Sequence, residues 1–166
     1  MANQTYDLMT SIFSKMLPNL QAILAKAEAD AEARKIDPQV FLQARLAPDM
    51  LPFTRQIQIA TDQVKGGMGR LAGAEVPAWP DDEKTFADLR ARVDKALAYT
   101  KGFKPEQYEG AETRTIELKF PQGTLSFNGK DYLLNFVLAN FYFHMTTAYA
   151  ILRHNGVPLG KRDFVG

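Results

Sequence analysis

The sequence predicts a mainly α-helical fold: an antiparallel four-helix bundle with one small β-hairpin between its third and fourth helices. Apolar residues recur at offsets of three and four in four separate stretches. The period changes to two only once, in "TRTIELKF" and "GTLSF". The connections between the helical stretches are short to medium, which suits a bundle. No internal repeat, low-complexity tract or linker divides the chain, so residues 1–166 are expected to form a single domain.

The first stripe is Met9, Phe13, Met16, Leu20, Leu24 and Ala27, within a helix expected from Tyr6 to Arg34. Pro18 interrupts it, so a kink or a break is expected there. Its end, "AKAEADAEARK", reads as exposed last turns. Asp37 and Pro38 then suit the cap and first turn of a short helix. After Pro48 a second long helix carries Phe53, Ile57, Ala60, Val64, Met68 and Leu71. Gly66, Gly67 and Gly69 weaken its C-terminal half, either as fraying or to admit another backbone or a ligand.

A connector holding Trp79, the single tryptophan, leads to a third helix. Thr85 and Asp88 have the spacing of a capping box at its start, and Gly102 marks its end. In the hairpin Ile116, Leu118 and Phe120 share one face, as do Leu125 and Phe127, around "PQG". Asn128 and Gly129 close it, and the fourth helix is expected from Lys130 to His154, with Asn155, Gly156 and Pro158 as its stop. The first half of this helix is apolar nearly all round, so it is buried on most sides or carries a dimer interface on its outer face.

Composition excludes several function classes. With 20 basic against 19 acidic residues the net charge is +1, which gives no electrostatic case for nucleic acid. Without cysteine there is no disulfide scaffold, thiolate metal site or thiol nucleophile, and a reducing compartment fits. The start, "MANQTYDLMT", lacks the charged and apolar regions of a signal peptide. The most apolar run, Tyr132 to Met145, is too short to span a membrane and contains Asn135, Asn140 and His144. The protein is therefore expected to be cytoplasmic. "GGMGRLAG" lacks the lysine-serine ending of a phosphate-binding loop, and no serine–histidine–carboxylate set can be assembled. Lys161 and Arg162 in "GKRDF" read as a free, solvated tail.

Chemistry concentrates on the fourth helix. Asn140 and His144 sit one turn apart on one face, the spacing of an i,i+4 metal pair. A carboxamide is a poor ligand for transition metals and an imidazole a good one. His154 follows His144 by ten residues, which puts the rings about 80° apart around the helix and about 15 Å apart along it, so they cannot share a metal. His154 instead suits the helix C-terminus, where a cation is favoured. A hydrogen-bonded core histidine is the competing role for His144. Phe141, Tyr142 and Tyr149 are the candidate ligand-binding residues; Tyr149 also suits an anchored core tyrosine with its hydroxyl bonded.

The ending "FYFHMTTAYAILRHNGVPLGKRDF" and the stretch "LAPDMLPFTRQIQIATD" resemble a DinB-related bacterial family of unknown function, within the DinB/YfiT-like superfamily of four-helix bundles. The resemblance spans almost the whole chain. It implies a metal site of three histidines, one from the second helix and two from the fourth in H-x-x-x-H spacing ahead of an apolar-Leu-Arg-x-x-Gly ending. Aligning Leu152 and Arg153 of "ILRHNG" on that ending puts His144 on the second histidine of the pair and Asn140 on the first. The second helix has no histidine, and Gln56 is the nearest substitute.

Two of three implied ligand positions are thus amides, so no cofactor is expected, with a divalent zinc or nickel as the alternative. The leading functional expectation is an unassigned bundle protein, a homodimer with a degenerate site that binds a small apolar molecule. Superfamily members imply an alternative: a metal-dependent thiol transferase or hydrolase-type enzyme led by His144, with Asp62 or Asp49 assisting. A structural dimerisation protein is the third reading.

Overall fold

The structure is a computed structural model and describes residues 3–166; Met1 and Ala2, the first residues of the expected domain, lie outside the described residues. It is mainly helical, with one two-stranded antiparallel sheet.

Helix α1 runs Gln4–Arg34. Asn3 opens it, its side chain accepting from the Tyr6 N–H at 3.2 Å. Lys35 closes it in the left-handed region at φ 55°, and the Ile36 N–H donates back to the Ala31 carbonyl at 2.9 Å. The expected break at Pro18 is absent: the helix continues through it. One missing N–H is a local loss, and Met16, Leu17 and Leu20 around it are buried. Nor are the last turns simply exposed, because Ala27 and Ala31 pack inward, while Ala29 and residues 32–34 face water.

Helix α2, Pro38–Leu42, begins where Asp37 accepts from the Gln39 N–H at 2.9 Å. Helix α3, Phe53–Leu71, packs against both α4, Phe86–Thr100, and α6, Ala139–His154. The capping box of α4 forms as expected, with Thr85 accepting from the Asp88 N–H and Asp88 accepting from the Thr85 N–H. Helix α1 lies against α4, and the core is stitched by aromatic pairs such as Phe13 on Phe141, edge-on at 5.2 Å, and Phe53 with Phe86 at 6.2 Å.

Strands β1, Thr115–Phe120, and β2, Gly123–Asn128, pair as read from the period of two, with Ile116 opposite Phe127 and Leu118 opposite Leu125. Only the base of the hairpin is buried. Ile116 and Leu118 pack inward, whereas Phe120 and Leu125 project with the tip.

The expected continuous fourth helix divides into three. A short α5, Gly129–Asp131, capped by Asn128, leads into a π-helical segment, Tyr132–Leu138, and then α6. The wider turn has a packing cause. Tyr132 lies over Gly66 of α3 and Val137 over Gly67, the next residue. Five residues on an α-helix are about 140° apart, whereas i→i+5 winding stacks them on one side. The glycines of α3 are therefore not frayed ends. A Cβ on Gly67 would come within 2.8 Å of Val137, and one on Gly69 within 2.8 Å of Tyr99 and Val76.

The C-terminal tail is not free. Helix α7, Lys161–Val165, docks on α1, with Asn19 Nδ2 donating to the Phe164 carbonyl at 2.9 Å and Lys26 meeting Asp163 at 2.6 Å. Lys161 and Arg162 themselves remain in solvent.

Between α3 and α4, residues 72–84 are held by charge. The Arg92 side chain is only 2% exposed and directs its five donors to five acceptors. Its Nε donates to Thr61 Oγ1 at 2.9 Å, and Nη1 to the Pro80 carbonyl and Glu83 Oε1, both at 2.8 Å. Its Nη2 meets Asp62 and Asp81, both at 3.0 Å. Trp79 beside it takes the ammonium groups of Lys65 at 4.8 Å and Lys95 at 4.7 Å over its ring.

Gly129 is the tightest backbone approach in the fold, since a Cβ there would sit 1.8 Å from the Ala111 carbonyl oxygen. Because the obstacle is backbone, Gly129→Ala is expected to cost about 3 kcal/mol, lowering the thermal midpoint by roughly 6–12 °C for a chain of this size. Circular dichroism melting measures it, and an unchanged midpoint would show that the contact constrains nothing.

Candidate functional site

Gln56 and His144 come from different helices and meet. Gln56 lies in the first turns of α3 and His144 in the middle of α6, and the extensive packing of these two helices brings both side chains inward. His144 Nδ1 lies 2.7 Å from Gln56 Oε1, in a bond buried between the helices. Gln56 Nε2 donates to the Leu51 carbonyl at 2.9 Å, which turns its Oε1 to the ring. An amide oxygen only accepts, so Nδ1 carries the proton and Nε2 holds the lone pair of a neutral imidazole. Nε2 makes no bond to the described residues and keeps access to water, because the one sealed and unpaired side-chain polar atom among them is Gln21 Oε1. Phe143 stands edge-on to the imidazole, ring centres 5.1 Å apart.

Asn140 does not join the couple. Its Nδ2 donates to the Phe136 carbonyl one turn back at 2.7 Å, so the amide braces the junction between the π-helical segment and α6. Asp62 is committed to Arg92 and Lys65, and Asp49 lies exposed in the loop before α3. No group of three or more His, Asp or Glu side chains among the described residues is placed to hold a metal. The donor set does not fit the three-ligand centre that the resemblance implies: Gln56 Oε1 already receives the Nδ1 proton, and Asn140 is tied to its own helix.

Of the three residues expected to line a ligand site, Phe141 and Tyr142 adjoin, ring centres 5.5 Å apart, and Tyr149 packs elsewhere, on Phe164. Phe141 is fully buried against Phe13, and Tyr142 faces outward. Tyr149 is half-buried with its ring edge-on to Phe164 at 6.1 Å, and its hydroxyl has no hydrogen-bond partner among the described residues. It borders a cavity of about 310 Å³ with Thr146, Lys161, Phe164 and Val165. His154 is exposed in the last turn of α6.

Sequence reasoning missed Arg92 and its partners. The signal was legible: Arg92 falls on the apolar stripe of α4 between Leu89 and Ala96, and "PDDE" supplies carboxylates just upstream. An arginine on a buried face demands such partners.

The family model described as "Domain of unknown function (DUF1993)" matches residues 5–165. The chain belongs to the DUF1993 family. Its fold is similar to the crystal structure of a DinB family member protein from Shewanella denitrificans, with a TM-score of 0.88 and 45% sequence identity. The match covers 97% of this chain and 91% of that one. No curated protein matches the sequence. The DinB-like resemblance seen in "FYFHMTTAYAILRHNG" is thus borne out.

Burial holds the His144 imidazole below its ordinary range, and the nearby Arg55 guanidinium adds to the effect. A histidine that resists protonation when folded stabilises the fold fully above its unfolded pKa of about 6.5. That stability is lost as pH falls from there through the lower folded value. The wild type is therefore expected to lose more stability than His144→Gln between pH 7.5 and pH 5, measured by urea unfolding at each pH. Equal losses in both proteins would show that His144 does not carry the dependence.

Proposed function

We propose that this DUF1993 protein is a single-domain antiparallel four-helix bundle that acts as a metal-free, non-catalytic homodimer. The observation that carries this reading is the 2.7 Å bond between His144 Nδ1 and Gln56 Oε1. It turns two of the three positions of a superfamily metal centre into a donor and its acceptor, leaving nothing to activate a thiol. The couple then pins α3 to α6. The absence of cysteine supports a cytoplasmic setting.

The dimer reading rests on the outer face of the fourth helix. Leu134, Tyr142 and Phe143 are exposed there, Phe143 by 55%, on a segment whose other face fills the core. Apolar side chains clustered in this way mark contact surfaces. The small apolar ligand of this reading is best supported at the cavity beside Tyr149 and Phe164.

Elemental analysis of untagged protein tests the metal-free reading. It is expected to find far less than one zinc, nickel or iron per chain. A stoichiometric metal lost in His144→Ala would instead establish a metal-dependent enzyme. Light scattering tests the assembly: the wild type is expected as a dimer and Phe143→Glu as a monomer, and a monomeric wild type would end the dimer reading.

A further inference from the structure

At the far end of α3 from Gln56 lies a second cleft. The two ends are fourteen residues apart, about 21 Å along the helix. Its volume is about 380 Å³, and its walls come from four elements: Lys65 and Arg70 of α3, Val76 of the connector, Leu118 and Lys119 of β1, and Phe136 of the π-helical segment. Clefts of this size suit small ligands held by apolar walls and a few convergent polar groups.

The charge in this cleft is unevenly spent. Three cations and two carboxylates, Asp62 and Glu117, line it. Asp62 is taken by Arg92 and Lys65. Arg70 has no carboxylate partner among the described residues, and its single hydrogen bond runs from Nη1 to the Tyr132 hydroxyl at 3.1 Å. Tyr132 is fully buried, and the proton of its hydroxyl finds no acceptor among the described residues. A half-buried guanidinium and a buried hydroxyl therefore adjoin with donors to spare, an arrangement that costs stability unless an acceptor arrives.

Local backbone geometry serves this arrangement. Gly66 lets the guanidinium lie across α3, since a Cβ there would come within 2.4 Å of Arg70 Nη1. The π-helical segment stacks Phe136 on Tyr132, rings 5.6 Å apart and 17° from parallel, placing an aromatic wall beside the charge. π-helical turns are rare and concentrate at functional sites.

We propose that this cleft binds a small monocarboxylate with an apolar body, its carboxylate on the Arg70 guanidinium and its body against Val76, Leu118 and Phe136. A planar carboxylate matches the guanidinium fork, and the Arg70 charge, without a carboxylate partner among the described residues, matches one negative charge.

The experiment is an amide-resolved NMR titration of the full chain with hexanoate and with phenylacetate, using hexanamide and inorganic phosphate as controls. At least one carboxylate is expected to give saturable shifts confined to residues 66–76, 115–120 and 132–138. Arg70→Gln is expected to weaken binding roughly tenfold or more. Gly66→Ala should abolish it while leaving the unfolding midpoint unchanged or higher, because the added methyl displaces only a side-chain end and alanine is the better helix former. His144→Ala should leave it untouched, which separates this cleft from the reading of the His144 site. The proposal is overturned if neither carboxylate saturates, if hexanamide or phosphate binds as well, or if Arg70→Gln binds like the wild type.

Discussion

A single guanidinium organises one side of this molecule. Arg92 lies almost wholly out of water, and its five donors reach two residues of α3 and three of the connector. A buried cation is tolerable only when every donor is met and negative charge is near. Both conditions fix the path of residues 72–84, which have no regular secondary structure of their own. Gln58 and Arg55 extend the arrangement, bonding Glu83 and Asp81 respectively, so the polar face of the N-terminal half of α3 is committed to the connector. The apolar face is then left to meet α6, and the position of Gln56 opposite His144 follows from that division of α3.

The His144 couple shows how the choice of neighbour sets what an imidazole does. An imidazole hydrogen-bonded through Nδ1 and open at Nε2 is geometrically close to a metal ligand with its outer support. Here the support, Gln56, stands where the resemblance implies another ligand. The Nδ1 proton and Gln56 Oε1 satisfy each other, a hydrogen bond between two neutral groups.

Elements governed by local rules were legible in the sequence. Thr85 with Asp88, Asp37 with Pro38 and Asn128 with Gly129 punctuate the chain where their capping chemistry says they should. The alternation around "PQG" marked the hairpin and the shared faces of its strands. What escaped depended on partners distant in sequence. The π-helical winding of Tyr132–Leu138 answers the glycines of α3 and leaves no mark in its own periodicity. The docking of α7 depends on Asn19 and Lys26, more than a hundred residues upstream. At the candidate site family likeness singled out Gln56, Asn140 and His144, but which of them meet required coordinates, because an amide can bond its own helix as readily as a neighbour.

The glycines of α3 have a consequence for how the native state opens. Gly66, Gly67 and Gly69 each make helix about 1 kcal/mol less favourable than alanine would, so that half of α3 has little stability of its own. It is held in place by Tyr132 and Val137, on a segment wound in the rarer π form. Each segment supplies part of the surface the other packs on, alongside Met68 and Leu71, which are fully buried in the core. The two segments are therefore coupled: an opening that lifts Tyr132 and Val137 also uncovers Gly66 and Gly67.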